Sequence, residues 1–189
     1  MRLQIIIAGR GGQGILLAGY LLGKALINEG YYVVNGETYS AETRGGFSRS
    51  DLIVFTEGDE EVDLIKVSRA DVAVFMYKEQ IEMYKNLVNP SAKLVMVDST
   101  FTDKVNEPWP RVELVPFTRI AEEKVGTGRV ANIVMLGVFT YVTGLVKPET
   151  VIETIKETVR PRWREPNIKA FNAGYSYAEE AGMEKVKLL

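Results

Sequence analysis

The chain contains no cysteine and no histidine. The first absence excludes a disulfide, a thiolate nucleophile and a cysteine-ligated iron–sulfur cluster. The second removes the commonest acid–base group at neutral pH and the commonest metal ligand. Proton transfer would fall to Asp, Glu, Lys, Tyr or a bound cofactor, so catalytic and metal-binding residues of its own are not expected. Charge of one sign is also missing. Lys and Arg number 23, Asp and Glu 25, and the net charge is -2. No basic excess is available to neutralise a nucleic-acid backbone, so no nucleic-acid partner is expected. No apolar run is long enough for a membrane span. Residues 131–146 form the most apolar stretch, and they include Asn132, Thr140 and Thr143, short of the roughly 20 apolar residues a span needs. No signal peptide is expected, because Met1-Arg2 leads straight into a strand and a glycine loop. Together these features give the expectation of a cytoplasmic protein.

What is present is an ordinary globular composition, 46% hydrophobic and 25% charged over 189 residues, enough for one domain spanning residues 1–189. Residues 3–8 are a continuous β-branched run and read as a buried strand. Ile15, Leu16, Ala18, Leu22, Ala25 and Leu26 recur at helical spacing, which predicts a helix over 14–29 closed by Gly30. A second strand follows at YYVVNGET. This is a β–α–β unit. Further strands are predicted at 47–55, DVAVFM, KLVMVDS and RVELVPF. Helices are predicted at 79–88, 119–123, 130–144 and 148–159, the last opened by Pro148. RPRWREPN reads as a loop, with Asn167 capping a final helix towards Gly182. The alternation predicts a single-domain α/β protein with a doubly wound, Rossmann-like sheet, mostly parallel, with helices on both faces.

Three glycine-bearing elements stand out. The first is Gly9-Arg10-Gly11-Gly12-Gln13-Gly14, between a strand and a helix. Gly9, Gly11 and Gly14 fit the G-x-G-x-x-G spacing, in which backbone amides and a helix N-terminus approach a phosphate. Gln13 adds an amide and Arg10 a cation. The alternative is a tight turn without a ligand. A dinucleotide fingerprint also wants an acid about 20 residues on, and Glu37 stands near there; it is equally readable as a solvated carboxylate. The second element is Glu42-Thr43-Arg44-Gly45-Gly46, whose guanidinium and glycine amides suit an anion or a plain hairpin turn. The third is Gly126-Thr127-Gly128-Arg129, before the apolar helix that begins near Asn132; a simple connection accounts for it as well.

AGRGGQGILLAGYLLGKAL, ETYSAETRGGFSRSDLIV and ANIVMLG together resemble the gamma subunit of the 2-oxoacid:ferredoxin oxidoreductases, over nearly the whole chain. That family shows a G-x-G-G-Q-G loop, a YGPE-RGG-S loop and an N-x-x-LG helix start. Here Tyr39-Ser40-Ala41-Glu42 stands in place of Tyr-Gly-Pro-Glu, Thr43 precedes Arg44 in place of a small residue, and Phe47 follows Gly46. The loop is closer to the 2-oxoglutarate and related branched-acid members than to the pyruvate members. The resemblance implies a multi-subunit enzyme that converts a 2-oxoacid, coenzyme A and oxidised ferredoxin into acyl-CoA, carbon dioxide and reduced ferredoxin. It implies alpha and beta partners, delta in some members, contact with ferredoxin through the complex, and a homodimer as an option for the isolated chain. Thiamine diphosphate, magnesium and iron–sulfur clusters would lie on partner subunits only. The gamma subunit would handle coenzyme A, through Gly9, Arg10, Gly11, Gly12, Gln13 and Gly14, through Thr43, Arg44, Gly45 and Gly46, and through Asn132. The absence of cysteine and of a G-D-G thiamine diphosphate motif agrees with that division. A nicotinamide- or flavin-binding oxidoreductase domain and a purely structural subunit are the alternatives.

Overall fold

A computed structural model describes residues 1–40, 46–57 and 66–189. β-branched and aliphatic runs form a six-stranded sheet in the order β2-β3-β1-β4-β5-β6. The strands are β1 (Arg2–Arg10), β2 (Tyr32–Tyr39), β3 (Phe47–Phe55), β4 (Val72–Phe75), β5 (Leu94–Asp98) and β6 (Val112–Val115). The helices are α1 (Ile15–Asn28), α2 (Glu79–Tyr84), α3 (Phe117–Val125), α4 (Ala131–Thr143), α5 (Pro148–Thr158) and α6 (Pro161–Glu180). Three strand pairings are parallel, β1 with β4, β4 with β5 and β5 with β6; β3 runs antiparallel to both β1 and β2.

Three expectations are corrected. The β–α–β unit does not place its strands side by side. β2 and β3 form a hairpin, and β3 takes the edge of β1, with Ile5 opposite Leu52 and Ala8 opposite Arg49. An antiparallel partner needs only a short connection, whereas a parallel one needs a crossover. RPRWREPN is not a loop. α6 begins at Pro161 and continues through Pro166, and Asn167 lies inside it. Pro161 fits because a first helical residue has no amide bond to lose. Pro166 removes one bond, that to the carbonyl of Arg162, which lies in an exposed turn. The 79–88 helix is also shorter, ending at Tyr84 in a 3₁₀ turn over Lys85–Leu87.

Side chains alternate between two unequal cores. Leu3, Ile5, Ile7, Leu52 and Val54 face the larger one, built with α1, α3, α4, α5 and α6. Ile6, Ala8, Ile53 and Phe55 face the smaller one, covered by Ile81 and Tyr84 of α2, Val88 and Trp109. On that smaller face a buried Arg49–Asp51 pair is bidentate, at 2.6 and 2.9 Å. Asp51 also accepts the Val67 amide at 3.1 Å. The Arg49 guanidinium lies 4.8 Å from the Tyr84 ring centroid, and burial pushes the Tyr84 phenol up. α1 is tied to α5 through Glu29, whose carboxylate accepts from the Thr150 hydroxyl and the Lys147 amide; the Thr150 bond holds its carboxyl below the usual range.

α4 is buried along almost its whole length, because α6 crosses it at two glycines. A Cβ added at Gly174 would stand 2.0 Å from the carbonyl oxygen of Val134, and one at Gly137 would stand 2.1 Å from that of Phe171. No helix among the described residues is long and apolar enough to cross a membrane. Gly174→Ala is expected to destabilise the chain by about 2 kcal/mol or more, because the obstacle is backbone and cannot rotate away. The gain in helix propensity, about 1 kcal/mol, works the other way and is smaller. Urea unfolding measures the difference.

Candidate ligand-binding site

The sheet delivers β1 to a turn that only glycine can make. Gly12 and Gly14 have φ of 88° and 69°, in the left-handed region where a Cβ is strained. At Gly14 a Cβ would also lie 2.5 Å from Asn132 Nδ2. The turn is fastened on every side. The Gly11 amide donates to the Gly46 carbonyl at 2.6 Å, and the Gln13 amide to the Arg10 carbonyl at 3.2 Å. The Arg10 amide donates to Gln13 Oε1 at 2.6 Å, and Gln13 Nε2 donates to the Met76 carbonyl at 3.2 Å. Asn132 Nδ2 donates to the Gly14 carbonyl at 2.9 Å.

These bonds decide which donors stay free. The first acceptor inside α1 is the Gly14 carbonyl, reached by the Ala18 amide at 3.0 Å. The amides of Gly12, Gly14, Ile15, Leu16 and Leu17 have no acceptor among the described residues. No side chain caps α1, and no acid lies in its first turn. Unpaired first-turn amides carry partial positive charge and suit an anion. The site offers donors, and Gln13 spends both ends of its amide inside the protein. Gln13 bridges the ends of β1 and β4.

Arg10 turns the same way. Its guanidinium stacks 3.5 Å from the Tyr77 ring centroid and lies 3.7 Å from Glu79 Oε1. Gly9 is packed against Ile15, with room for no Cβ. Thus Gly9, Arg10, Gly11, Gly12, Gln13, Gly14, Gly46 and Asn132 come together, and Asn132 is 2% exposed. Thr43, Arg44 and Gly45 lie outside the described residues. Glu37 is exposed on β2, and β3 separates that strand from β1.

Two cavities flank the loop and share Gly12, Gly14 and Leu17. One, of about 380 Å³, lies on the hairpin side beside Tyr39, Gly46 and Ser48. The other, of about 370 Å³, is walled by Asn132, Arg129, Arg160 and Trp163. Arg129 sits in a 3₁₀ turn, Gly128–Val130, where the Thr127 hydroxyl accepts its amide at 3.3 Å. The sequence reading gives Arg160 and Trp163 no role and Asn167 only that of a helix cap. The available signal was Arg-Pro at 160–161, since Pro favours a first helical position. No cluster among the described residues could hold a metal ion.

Residues 4–177 match the family model described as pyruvate ferredoxin/flavodoxin oxidoreductase. The chain belongs to that family, as a gamma subunit. It is 40% identical to 2-oxoglutarate synthase subunit KorC of Methanothermobacter marburgensis over 92% of this chain and 95% of that one. It is 37% identical to the KorC subunit of Methanocaldococcus jannaschii over 95% and 96% of the two chains. Its fold is that of the gamma subunit of a keto/oxoacid ferredoxin oxidoreductase from Geobacter sulfurreducens, with a TM-score of 0.79, 28% identity and coverage of 96% and 98%. A 2-oxoglutarate:ferredoxin oxidoreductase from Magnetococcus marinus, with 2-oxoglutarate, coenzyme A and succinyl-CoA bound, shares the fold at a TM-score of 0.81 and 23% identity. The match covers 95% of this chain and 31% of that polypeptide. The protein is therefore the gamma subunit of a 2-oxoacid:ferredoxin oxidoreductase.

Replacing Gln13 with Leu leaves the Arg10 amide and the Met76 carbonyl unpaired. Gln13→Leu is expected to destabilise the gamma subunit by about 0.5–1.5 kcal/mol in urea unfolding, since the bond to the Arg10 amide is exposed and that to Met76 half-buried. An unchanged midpoint would mean that the bridge contributes nothing.

Proposed function

We propose that this subunit supplies the coenzyme A site of a 2-oxoglutarate:ferredoxin oxidoreductase. The observation that carries the reading is the set of free amides at Gly12 and the first turn of α1, held in place by Gln13, Gly46 and Asn132. Coenzyme A brings a diphosphate and a ribose 3′-phosphate, so it needs several anion-binding groups. The amide cluster serves one. Arg44, which precedes Gly45 and Gly46 in the sequence, serves another, as a guanidinium beside glycine amides. The 2-oxoglutarate assignment rests on relatives. Identity is 33–40% to KorC subunits and 29% to the pyruvate synthase subunit PorC of Methanothermobacter marburgensis.

In this reading the gamma subunit binds and orients, and does no covalent chemistry. Its first task is to hold the diphosphate on neutral donors whose geometry needs no rearrangement. Its second is to aim the thiol of coenzyme A at an acyl group made on the alpha and beta subunits. Thiamine diphosphate with magnesium and iron–sulfur clusters, held by those partner subunits, would supply the decarboxylation and electron-transfer chemistry. A chain without cysteine or histidine suits that role, in a cytoplasmic complex.

A nicotinamide or flavin dinucleotide fits less well. Its acid should lie on the strand beside the glycine loop, and β3 moves Glu37 outward by one strand spacing, about 4.8 Å. A purely structural subunit leaves the free amides without purpose.

In the assembled complex, Arg44→Ala is expected to raise the KM for coenzyme A about tenfold with little change in kcat, the loss of one charge-assisted contact. An unchanged KM would remove Arg44 from the site. Tight NAD binding by the complex, abolished by Glu37→Ala, would overturn the coenzyme A reading.

A further inference from the structure

β2 is the outermost strand at one end of the sheet, eight residues long. The Ser40 amide donates to the Phe47 carbonyl at 2.9 Å, which sets the parity of the hairpin. Tyr32, Val34, Gly36 and Thr38 bond to β3, and Val33, Asn35, Glu37 and Tyr39 turn their amides and carbonyls outward. Those outward groups have no partner among the described residues. Exposed edges are commonly blunted by proline, lysine or a bulge. β2, YVVNGETY, has no proline and no lysine, and it pairs with β3 without a break in register. Its one charge is Glu37, which has no cationic partner among the described residues.

Apolar side chains gather beside this edge. Val33 packs with the larger core, so Asn35, Glu37 and Tyr39 lie on the face that α1 covers. Gly23 of α1 sits over Val33 and Leu52. Leu16, Tyr20, Gly23 and Ile27 follow one another at helical spacing, and Leu16 lines the hairpin-side cavity with Tyr39. Tyr20, Ile27 and Tyr39 are 49%, 54% and 70% exposed, a concentration of apolar surface on one side of the sheet.

We infer that β2 pairs antiparallel with β2 of a second copy of this chain, about a two-fold axis through Gly36. The strand is complementary to itself in that register. Val33 meets Tyr39 of the second copy, an aromatic and β-branched pair, and Asn35 meets Glu37. Asn35 Oδ1 already accepts from the Ser50 hydroxyl at 2.9 Å, so its Nδ2 is the donor left for that carboxylate. Gly36 stands on the axis, where opposed side chains come closest, and has none to collide. Moving the axis to Glu37 would oppose two carboxylates, and moving it to Asn35 would set Glu37 against Val33. The helices fit too. α1 packs over both β2 and β3, about one strand spacing from the axis, so the two copies of α1 would lie about 10 Å apart, a packing distance. Tyr20 and Ile27 would be covered there. The pairing is independent of the coenzyme A reading, and it would brace the hairpin whose Gly46 carbonyl holds the glycine loop.

Sedimentation equilibrium of the full chain tests this, together with amide exchange on the assembled oxidoreductase. At micromolar concentration the chain should sediment at twice its mass. Glu37→Pro removes one outward amide and leaves the β3 ladder intact, so it should give a folded monomer. Asn35→Asp keeps an acceptor for Ser50 but opposes carboxylates, and should raise the dimer Kd about tenfold or more. Adding Glu37→Lys to Asn35→Asp should bring Kd back to within about threefold of wild type, a rescue that only this register gives. In the complex, the amides of Val33, Asn35, Glu37 and Tyr39 should be protected from exchange. A chain that stays monomeric, or a dimer indifferent to both Glu37→Pro and the charge pair, would overturn the inference. So would protection of those amides that appears only when the alpha and beta subunits are added, since a strand of another subunit would then cover the edge.

Discussion

The hydrogen bonds that fasten the turn after β1 decide what this subunit can offer a ligand. Gly11, Gln13 and Arg10 have their amides committed to the Gly46 carbonyl, the Arg10 carbonyl and Gln13 Oε1. Gln13 then reaches across to Met76, and Asn132 pins Gly14. What is left over is a row of donors at Gly12 and the first turn of α1. A loop free to rearrange would lose part of its binding energy in ordering itself; one already tied to β3, β4 and α4 loses little. The close α4–α6 crossing at Gly137 and Gly174 belongs to the same constraint. It brings the start of α6, with Trp163, to the cavity where Asn132 of α4 meets the glycine loop.

Much of the architecture was legible in the sequence because it is local. The β-branched run of β1, the helical spacing of α1, Pro148 opening α5 and the bounds of β3 at Phe47–Phe55 all follow from periodicity and turn chemistry. Strand order was not legible, since no residue in β1 or β2 records that β3 will come between them. The start of α6 was hidden by composition. Two prolines within six residues resemble a loop, and only Pro161, a favoured first helical residue, argued otherwise. Missing it concealed Arg160 and Trp163, and with them one side of a cavity.

The glycine loop shows the same limit at finer scale. Its spacing correctly marked a turn with exposed amides. Spacing holds no distances, so it could not tell that the Gln13 amide is consumed by Arg10 and Met76, or that Asn132 reaches Gly14 from 118 residues away. The family motif therefore mixes two kinds of residue: those that leave amides free, and those that hold the loop so that they stay free.

Amide hydrogen exchange in the assembled complex tests the central claim most directly, by following the loop with and without saturating coenzyme A. The account predicts that coenzyme A slows exchange at Gly12, Ile15, Leu16 and Leu17. It predicts no change at Gly11 and Gln13, whose amides are already bonded to Gly46 and Arg10. Unchanged exchange at every one of these amides, or equal protection by NAD, would contradict it.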